Sequence, residues 1–289
     1  MRKNLTTIIL IIILLAGLSL LLYPTISDYW NSLHQSRAVA SYVKEVQTLD
    51  TGEKDRLLEA AREYNRQLAA RGTVYQLSEA EKAEYEKQLR LEDTDVMGYI
   101  EVPGIKCTLP IYHGTDEGVL QVALGHLEWT SLPVGGESTH CVISGHRGLP
   151  SAKLFTNLDQ LEEGDIFMLN VLGETLTYEV DQIRIVLPEE TEELRIVEGK
   201  DYCTLMTCTP YGVNTHRLLV RGHRIANIDN SGRVTADAMQ IDPVRVAPVA
   251  AIPMLLALLI YLLVKTRRRK EKVKSGAGIL QNIIRKLKK

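Results

Sequence analysis

Three residues of types that could carry out acyl transfer stand at the ends of short apolar runs. Cys208 closes the run Thr204-Leu205-Met206-Thr207 and is followed by Thr209-Pro210-Tyr211-Gly212. That places its sulfur at a strand-to-turn boundary, where a substrate can reach it. A cysteine near neutral pH is only a few per cent thiolate unless its surroundings help, so neighbours decide whether it reacts. Arg217 opens the next run, Leu218-Leu219-Val220, and a hairpin through Pro210 to Asn214 would return its guanidinium to the sulfur. His146 follows Cys141-Val142-Ile143-Ser144 through Gly145. Nucleophile, proton carrier and oxyanion stabiliser make the minimal set for this chemistry. Spacing alone is a weak argument, because a β-domain of this size commonly has a His and an Arg near some Cys.

The elements that must position these residues are short and β-like. From Met97 onward the apolar runs are brief: Gly98 to Val102, Cys141 to Ser144, Asp165 to Leu172, Thr175 to Val180, Ile183 to Val186, Thr204 to Thr207 and Leu218 to Val220. Pro103-Gly104, Pro133 to Gly136, Gly148 to Pro150, Gly173 and Pro210 to Gly212 punctuate them. Many short strands with turn chemistry between them predict a closed or sandwiched β-domain. Before it, Val43, Val46 and Leu49, then Leu57, Leu58, Ala61, Tyr64 and Leu68, recur at helical steps with a break expected at Thr51-Gly52. A second helix starts at Ser78, whose capping box would be completed by Glu81, and is expected to reach Leu91. Neither helix holds chemistry, and a stalk or a cover on the β-domain is the expected role.

Both ends of the 289-residue chain carry apolar runs. Leu5 to Tyr23, preceded by Arg2 and Lys3, has about the 20 residues a span needs. A cleaved signal peptide is the other reading, but the apolar core is long and the cleavage pattern poor. Val246 to Val264 is followed at once by Lys265, Arg267, Arg268, Arg269 and Lys270, which places its end inside the cell. The expected division is therefore a cytoplasmic stub over 1–4, a transmembrane helix over 5–24 and an extracellular helical region over 36–95. A β-domain over 96–228, a linker over 229–245, a second transmembrane helix over 246–264 and a basic cytoplasmic tail over 265–289 follow. The tail has helical apolar spacing and could lie on an anionic inner leaflet. With a formal charge of −2 overall and a strongly basic tail, the ectodomain is acidic, which argues against nucleic-acid binding.

Cys107, Cys141, Cys203 and Cys208 form no CxxC pair and no zinc spacing, so no metal or other cofactor is expected. Cys107 reads as a small buried apolar group. Cys141 and Cys203 each lie five residues before a reactive candidate, and if their strands are neighbours both sulfurs point away from the active face. Buried free thiols are expected there, with a disulfide as the alternative. His126, His140, His216 and His223 read as surface or structural histidines, and His113 as a turn residue.

Thr204-Leu205-Met206-Thr207-Cys208 matches the Thr-Leu-x-Thr-Cys signature of sortases, and Ser144-Gly145-His146 resembles the segment that holds their histidine. Leu109 to Thr115, Gly125-His126-Leu127, Ser131 to Gly136, Ile143 to Asp159 and Cys208 to Gly222 are similar to the pilus-assembling class C sortases of Gram-positive bacteria. The resemblance covers about Met97 to Arg224. It implies an eight-stranded β-barrel, Cys208 as the acyl-enzyme nucleophile, His146 as proton carrier, Arg217 as transition-state stabiliser, and Thr207 as a lesser substrate-positioning residue. It also implies a multi-pass protein of the cell membrane with an extracellular catalytic domain. Its partners would be secreted pilins or surface proteins bearing Leu-Pro-x-Thr-Gly-like signals, cleaved between Thr and Gly and joined to a pilin lysine. A cell-wall precursor amine as acceptor, or a non-catalytic receptor with a β-ectodomain, are the alternatives. Many class C sortases plug the site with an Asp-Pro-aromatic lid. Here that region reads Gly72-Thr73-Val74-Tyr75-Gln76-Leu77 without Asp-Pro, which leaves Tyr75 as the possible lid residue.

Overall fold

The computed structural model describes residues 2–72, 76–227 and 261, and the chain divides into two compact units, Met1–Ile26 with Gln240–Lys289 and Ser27–Met239. Helix α1 (Arg2–Thr48) begins in the first. From Ile8 it is long and apolar enough to cross a membrane, and none of its most apolar stretch is buried. Among the described residues it is the one such helix. The expected second span, the linker before it and the basic tail lie outside the described residues except for Tyr261, which is helical.

The second unit is a closed barrel carrying helices at its side. Its strands are β1 (Val96–Val102), β2 (Cys107–His113), β3 (Leu124–His126), β4 (Thr139–Ser144), β5 (Ile166–Val171), β6 (Glu174–Val186), β7 (Asp201–Thr209) and β8 (His216–Ile225). They follow the order β1-β2-β3-β4-β7-β8-β6-β5, and β5 pairs with β1 to close the ring, so no strand edge is left open. The sequence did not announce β2 and β3, one carrying a proline and the other only three residues long. It also suggested two strands where β6 is one. The register slips between Val180 and Gln182, and Asp181 at that bulge is held by Arg221 of β8 at 3.0 Å. That charged residue interrupts the apolar pattern without ending the strand.

Inside the barrel Phe167 and Tyr178 stack with ring centroids 5.5 Å apart. Gly222 of β8 faces them, and a Cβ there would stand 2.7 Å from the Phe167 ring, so this strand position admits only glycine. The helices are covers, not a stalk. The Tyr42 hydroxyl of α1 donates to the Met97 carbonyl (3.2 Å) and accepts from the Leu172 amide (2.8 Å). Helix α2 (Thr51–Arg71) starts at Asp50, whose carboxylate accepts from the Glu53 amide, so the break comes one residue earlier than Thr51-Gly52 predicts. Its buried Asn65 pairs with both backbone groups of Leu132. Helix α3 (Glu79–Tyr85) has the expected Ser78/Glu81 capping box but stops well before Leu91. Leu89 takes a left-handed turn (φ 56°), which lets Tyr85, Leu89 and Leu91 all bury against the barrel.

Candidate functional site

Strands β7 and β8 are antiparallel neighbours, and their register sets Cys208 directly opposite Arg217. Alternation along β7 buries Cys203, Leu205, Thr207 and Thr209 and leaves Met206 and Cys208 partly exposed on the outer face. Strand β4 runs parallel to β7 on the other side, with Ser144 level with Met206. Two further bonds hold the strands together past the end of that ladder. The Gly145 amide donates to the Met206 carbonyl at 3.0 Å, and the Thr207 hydroxyl donates to the Gly145 carbonyl at 2.7 Å. His146 is the next residue, and the same parallel register, if carried one more step, would set it level with Cys208. The three candidates thus come from three adjacent strands at one end of the barrel, each partly buried. The Arg217 guanidinium donates to the carbonyls of Asn214 (3.4 Å) and His216 (3.2 Å).

The chain leaves His146 in a long excursion to β5 that folds back on it. The Phe155 amide donates to the His146 carbonyl at 3.1 Å, and the Gly148 amide to the Thr156 hydroxyl at 3.1 Å. A Cβ on Gly145 would stand 2.8 Å from the Phe155 ring and closer still to Leu124, so the residue before His146 cannot carry a side chain without moving the packing beneath it. Helix α1 holds the excursion from outside. The Asp28 carboxylate accepts from the Lys153 amide (2.9 Å), and the Asn31 amide donates to the Ser151 carbonyl (2.8 Å).

Below the three residues the outer face is apolar. Val142 of β4, Met206 of β7 and Leu219 of β8 form a small cluster apart from the main core, roofed by Leu194 from the β6–β7 connection and flanked by Trp129. That connection is pinned by His140, whose ring nitrogens lie 2.9 Å from the Arg195 carbonyl and 2.7 Å from the Thr204 hydroxyl. Burial holds the His140 pKa down to about 4, against a smaller opposing effect of the Arg195 carbonyl. A structural histidine is what the sequence suggested at this position.

The remaining candidates fall as follows. Thr207 is buried, and its hydroxyl serves Gly145 and not the open face. Tyr75 lies outside the described residues. Cys141 and Cys203 are register partners, both buried and both free thiols, on the inward face as the odd offset predicts. Burial pushes the Cys203 thiol well up, and it pushes Cys107 up to about 12. His126 is fully buried, within 3.0 Å of the Tyr85 hydroxyl and 2.8 Å of the Ser131 carbonyl. His113 is a strand residue whose ring meets the Gln88 carbonyl, not a turn residue. Sequence reasoning passed over Arg147. A charge beside a histidine, inside a run of glycines and apolar residues, was the available signal, since such a charge needs a partner.

The chain is similar to known proteins in sequence and fold. A profile of the sortase domain matches residues 100–225. Sortase A of Staphylococcus aureus (strain NCTC 8325 / PS 47) is 31% identical over 144 residues, which are 48% of this chain and 68% of that protein. Among solved structures, sortase C1 from Streptococcus agalactiae is 52% identical with a TM-score of 0.65, covering 66% of this chain and all (100%) of that one. Sortase C of Clostridium perfringens, solved with the C-terminal cell wall sorting motif, is 44% identical with a TM-score of 0.59 and the same coverage (66% and 100%).

Proposed function

The chain belongs to the sortase family of cysteine transpeptidases, in its class C, and from that premise we propose that it polymerises pilin subunits through Cys208, His146 and Arg217. The observation that carries the assignment of residues is the register: Cys208 opposite Arg217, and His146 two residues past Ser144, as Cys208 is two past its partner Met206.

The Cys208 thiolate attacks the Thr carbonyl of a Leu-Pro-x-Thr-Gly-like signal. Arg217 donates to the oxyanion, the C–N bond to Gly breaks, and protonated His146 gives its proton to the departing amine. Among the described residues Arg217 bonds to the carbonyls of Asn214 and His216 and to no carboxylate, so its fork can turn to an oxyanion without breaking an ion pair. The thioester keeps much of the energy of the broken amide. A lysine amine of the next subunit attacks it, His146 takes the amine proton, and Cys208 leaves as thiolate with a new amide formed. The buried cluster of Val142, Leu194 and Leu219 supports Met206, whose partly exposed side chain beside Cys208 offers an apolar contact for the signal. The apolar helix from Ile8 and the charge pattern at both chain ends support a two-span protein with its barrel outside the cell.

Full-length protein in detergent, mixed with a Leu-Pro-x-Thr-Gly peptide and followed by intact mass, tests the reading. A peptide-sized adduct lacking the glycine end, absent in Cys208→Ala, is expected. A pilin lysine peptide should then discharge it faster than a wall-precursor amine does; the reverse order would replace polymerisation by wall anchoring.

A further inference from the structure

Arg147 is the side chain at this site whose surroundings the acyl-transfer scheme leaves unexplained. It is nine-tenths buried (10% exposed), unusual for a group so strongly hydrated. Its Nη2 is ion-paired with the Asp159 carboxylate, and its Nη1 reaches the Thr209 hydroxyl at 3.4 Å. Its Cζ lies 5.9 Å from the centre of the Tyr211 ring, and its buried Nε has no hydrogen-bond partner. The partners fall on two sides. Asp159 belongs to the excursion that follows His146, whereas Thr209 and Tyr211 immediately follow Cys208. Tyr211 also lies over Gly148, where a Cβ would come within 3.0 Å of the ring and the backbone is left-handed (φ 74°). Glycine at 148 therefore lets the two segments meet, and Arg147 ties them.

An arginine is a demanding fastener. Burial of its charge costs several kcal/mol before pairing, and one donor here stays unpaired. An apolar contact would join two loops with less penalty but without direction, whereas a planar fork fixes where each partner stands. The residues so fixed are the immediate neighbours of His146 and Cys208.

We infer that Arg147 is a positioning residue for the transfer reaction, clamping the turn after Cys208 to the loop that carries His146. The inference rests on the proposed roles of those two residues. The charged and titratable groups in contact with it are Asp159 on its own loop and Tyr211 on the turn. Misplacement on the order of 1 Å can lower a rate by about a hundredfold, so the clamp should act on kcat.

The test uses the full chain in detergent, with peptide transfer kinetics and the pH dependence of Cys208 alkylation by iodoacetamide. Arg147→Met should lower kcat by roughly ten- to a hundredfold while KM stays within about twofold. It also leaves the Asp159 charge unopposed, so the alkylation midpoint should rise. Asp159→Asn, which keeps the guanidinium and removes its counter-charge, should lower that midpoint, and Arg147→Lys should recover part of kcat. The inference is overturned if both midpoints stay at the wild-type value or move the same way, or if kcat falls only in proportion to folded protein. If Cys208→Ala still transfers peptide, the underlying assignment of the nucleophile fails, whatever Arg147 does.

Discussion

The hydroxyl of Thr207 donates to the carbonyl of Gly145 at 2.7 Å, so the strand that ends in Cys208 grips the residue that precedes His146. Both partners are buried, and past the Ser144–Met206 pair this bond works beside the one from the Gly145 amide to the Met206 carbonyl. Thr207→Val keeps the shape and removes the donor, leaving a buried carbonyl without that partner. A loss of about 1–3 kcal/mol is expected, with a fall in acyl-enzyme formation that Thr207→Ser largely restores. Urea midpoints and adduct formation rates measure the two. Equal activity in Thr207→Val and wild type would mean the strand ends hold their spacing by other means.

The four thiols should differ sharply in reactivity. Cys208 sits partly exposed at a strand end, whereas Cys141 and Cys203 are 2% and 0% exposed. Cys107 is a partly exposed residue, not the buried one the sequence suggests, but burial of its thiol raises its pKa to about 12. Brief iodoacetamide treatment of the native protein at neutral pH should add one label, mapped to Cys208, and none to Cys208→Ala. In guanidinium all four should react, because the two register partners in the barrel are free. A total of two labels after unfolding would show instead that Cys141 and Cys203 are joined.

What the sequence could reveal followed from how local each feature is. The Ser78/Glu81 capping box is a four-residue pattern and stands as read. The antiparallel hairpin that returns Arg217 to Cys208 needs only a turn and two apolar runs, and it too was legible. Strands β2 and β3 were not, because their pairing is non-local: β3 is three residues held between parallel β2 and antiparallel β4. The level placement of His146 and Cys208 depends on a parallel pairing across some sixty intervening residues, which no spacing rule supplies; the resemblance to sortases supplied it. Arg147 escaped for the same reason, since its meaning lies in Thr209 and Tyr211 on another strand's end.

Stability should fall with acid because of His140. Burial favours its neutral ring and holds the folded pKa at about 4, while the unfolded chain's imidazole titrates near its usual value of about 6.5. Between those values the unfolded state binds more protons. The contribution is therefore full above pH ~6.5 and is lost progressively toward pH ~4, on the order of 2–3 kcal/mol. Asp201 acts in the opposite sense, since burial raises its carboxyl and the folded state holds that proton more tightly. Urea midpoints at pH 7, 6 and 5 should decline in the wild type and decline less in His140→Gln. Parallel declines would assign the acid sensitivity elsewhere.

The first turns of the second unit should guard the loop that carries His146. Asp28 and Asn31 of α1 hold the backbone at Lys153 and Ser151, and Gln35 donates to the Val122 carbonyl at 2.8 Å. The Asp28 and Asn31 bonds tie the excursion after β4, and the Gln35 bond the segment before β3, to the same helix whose earlier residues are apolar enough for a membrane. Asp28→Ala with Asn31→Ala in the full chain removes two anchors from the backbone at Ser151 and Lys153. Each bond is worth about 0.5–1.5 kcal/mol, so local opening should rise by roughly tenfold or more while the global urea midpoint hardly moves. Amide exchange at Ser151 to Lys153 in detergent reads this directly. Unchanged exchange there, with the double variant folded, would mean that the loop is held from the barrel side alone, through the Phe155–His146 and Gly148–Thr156 bonds.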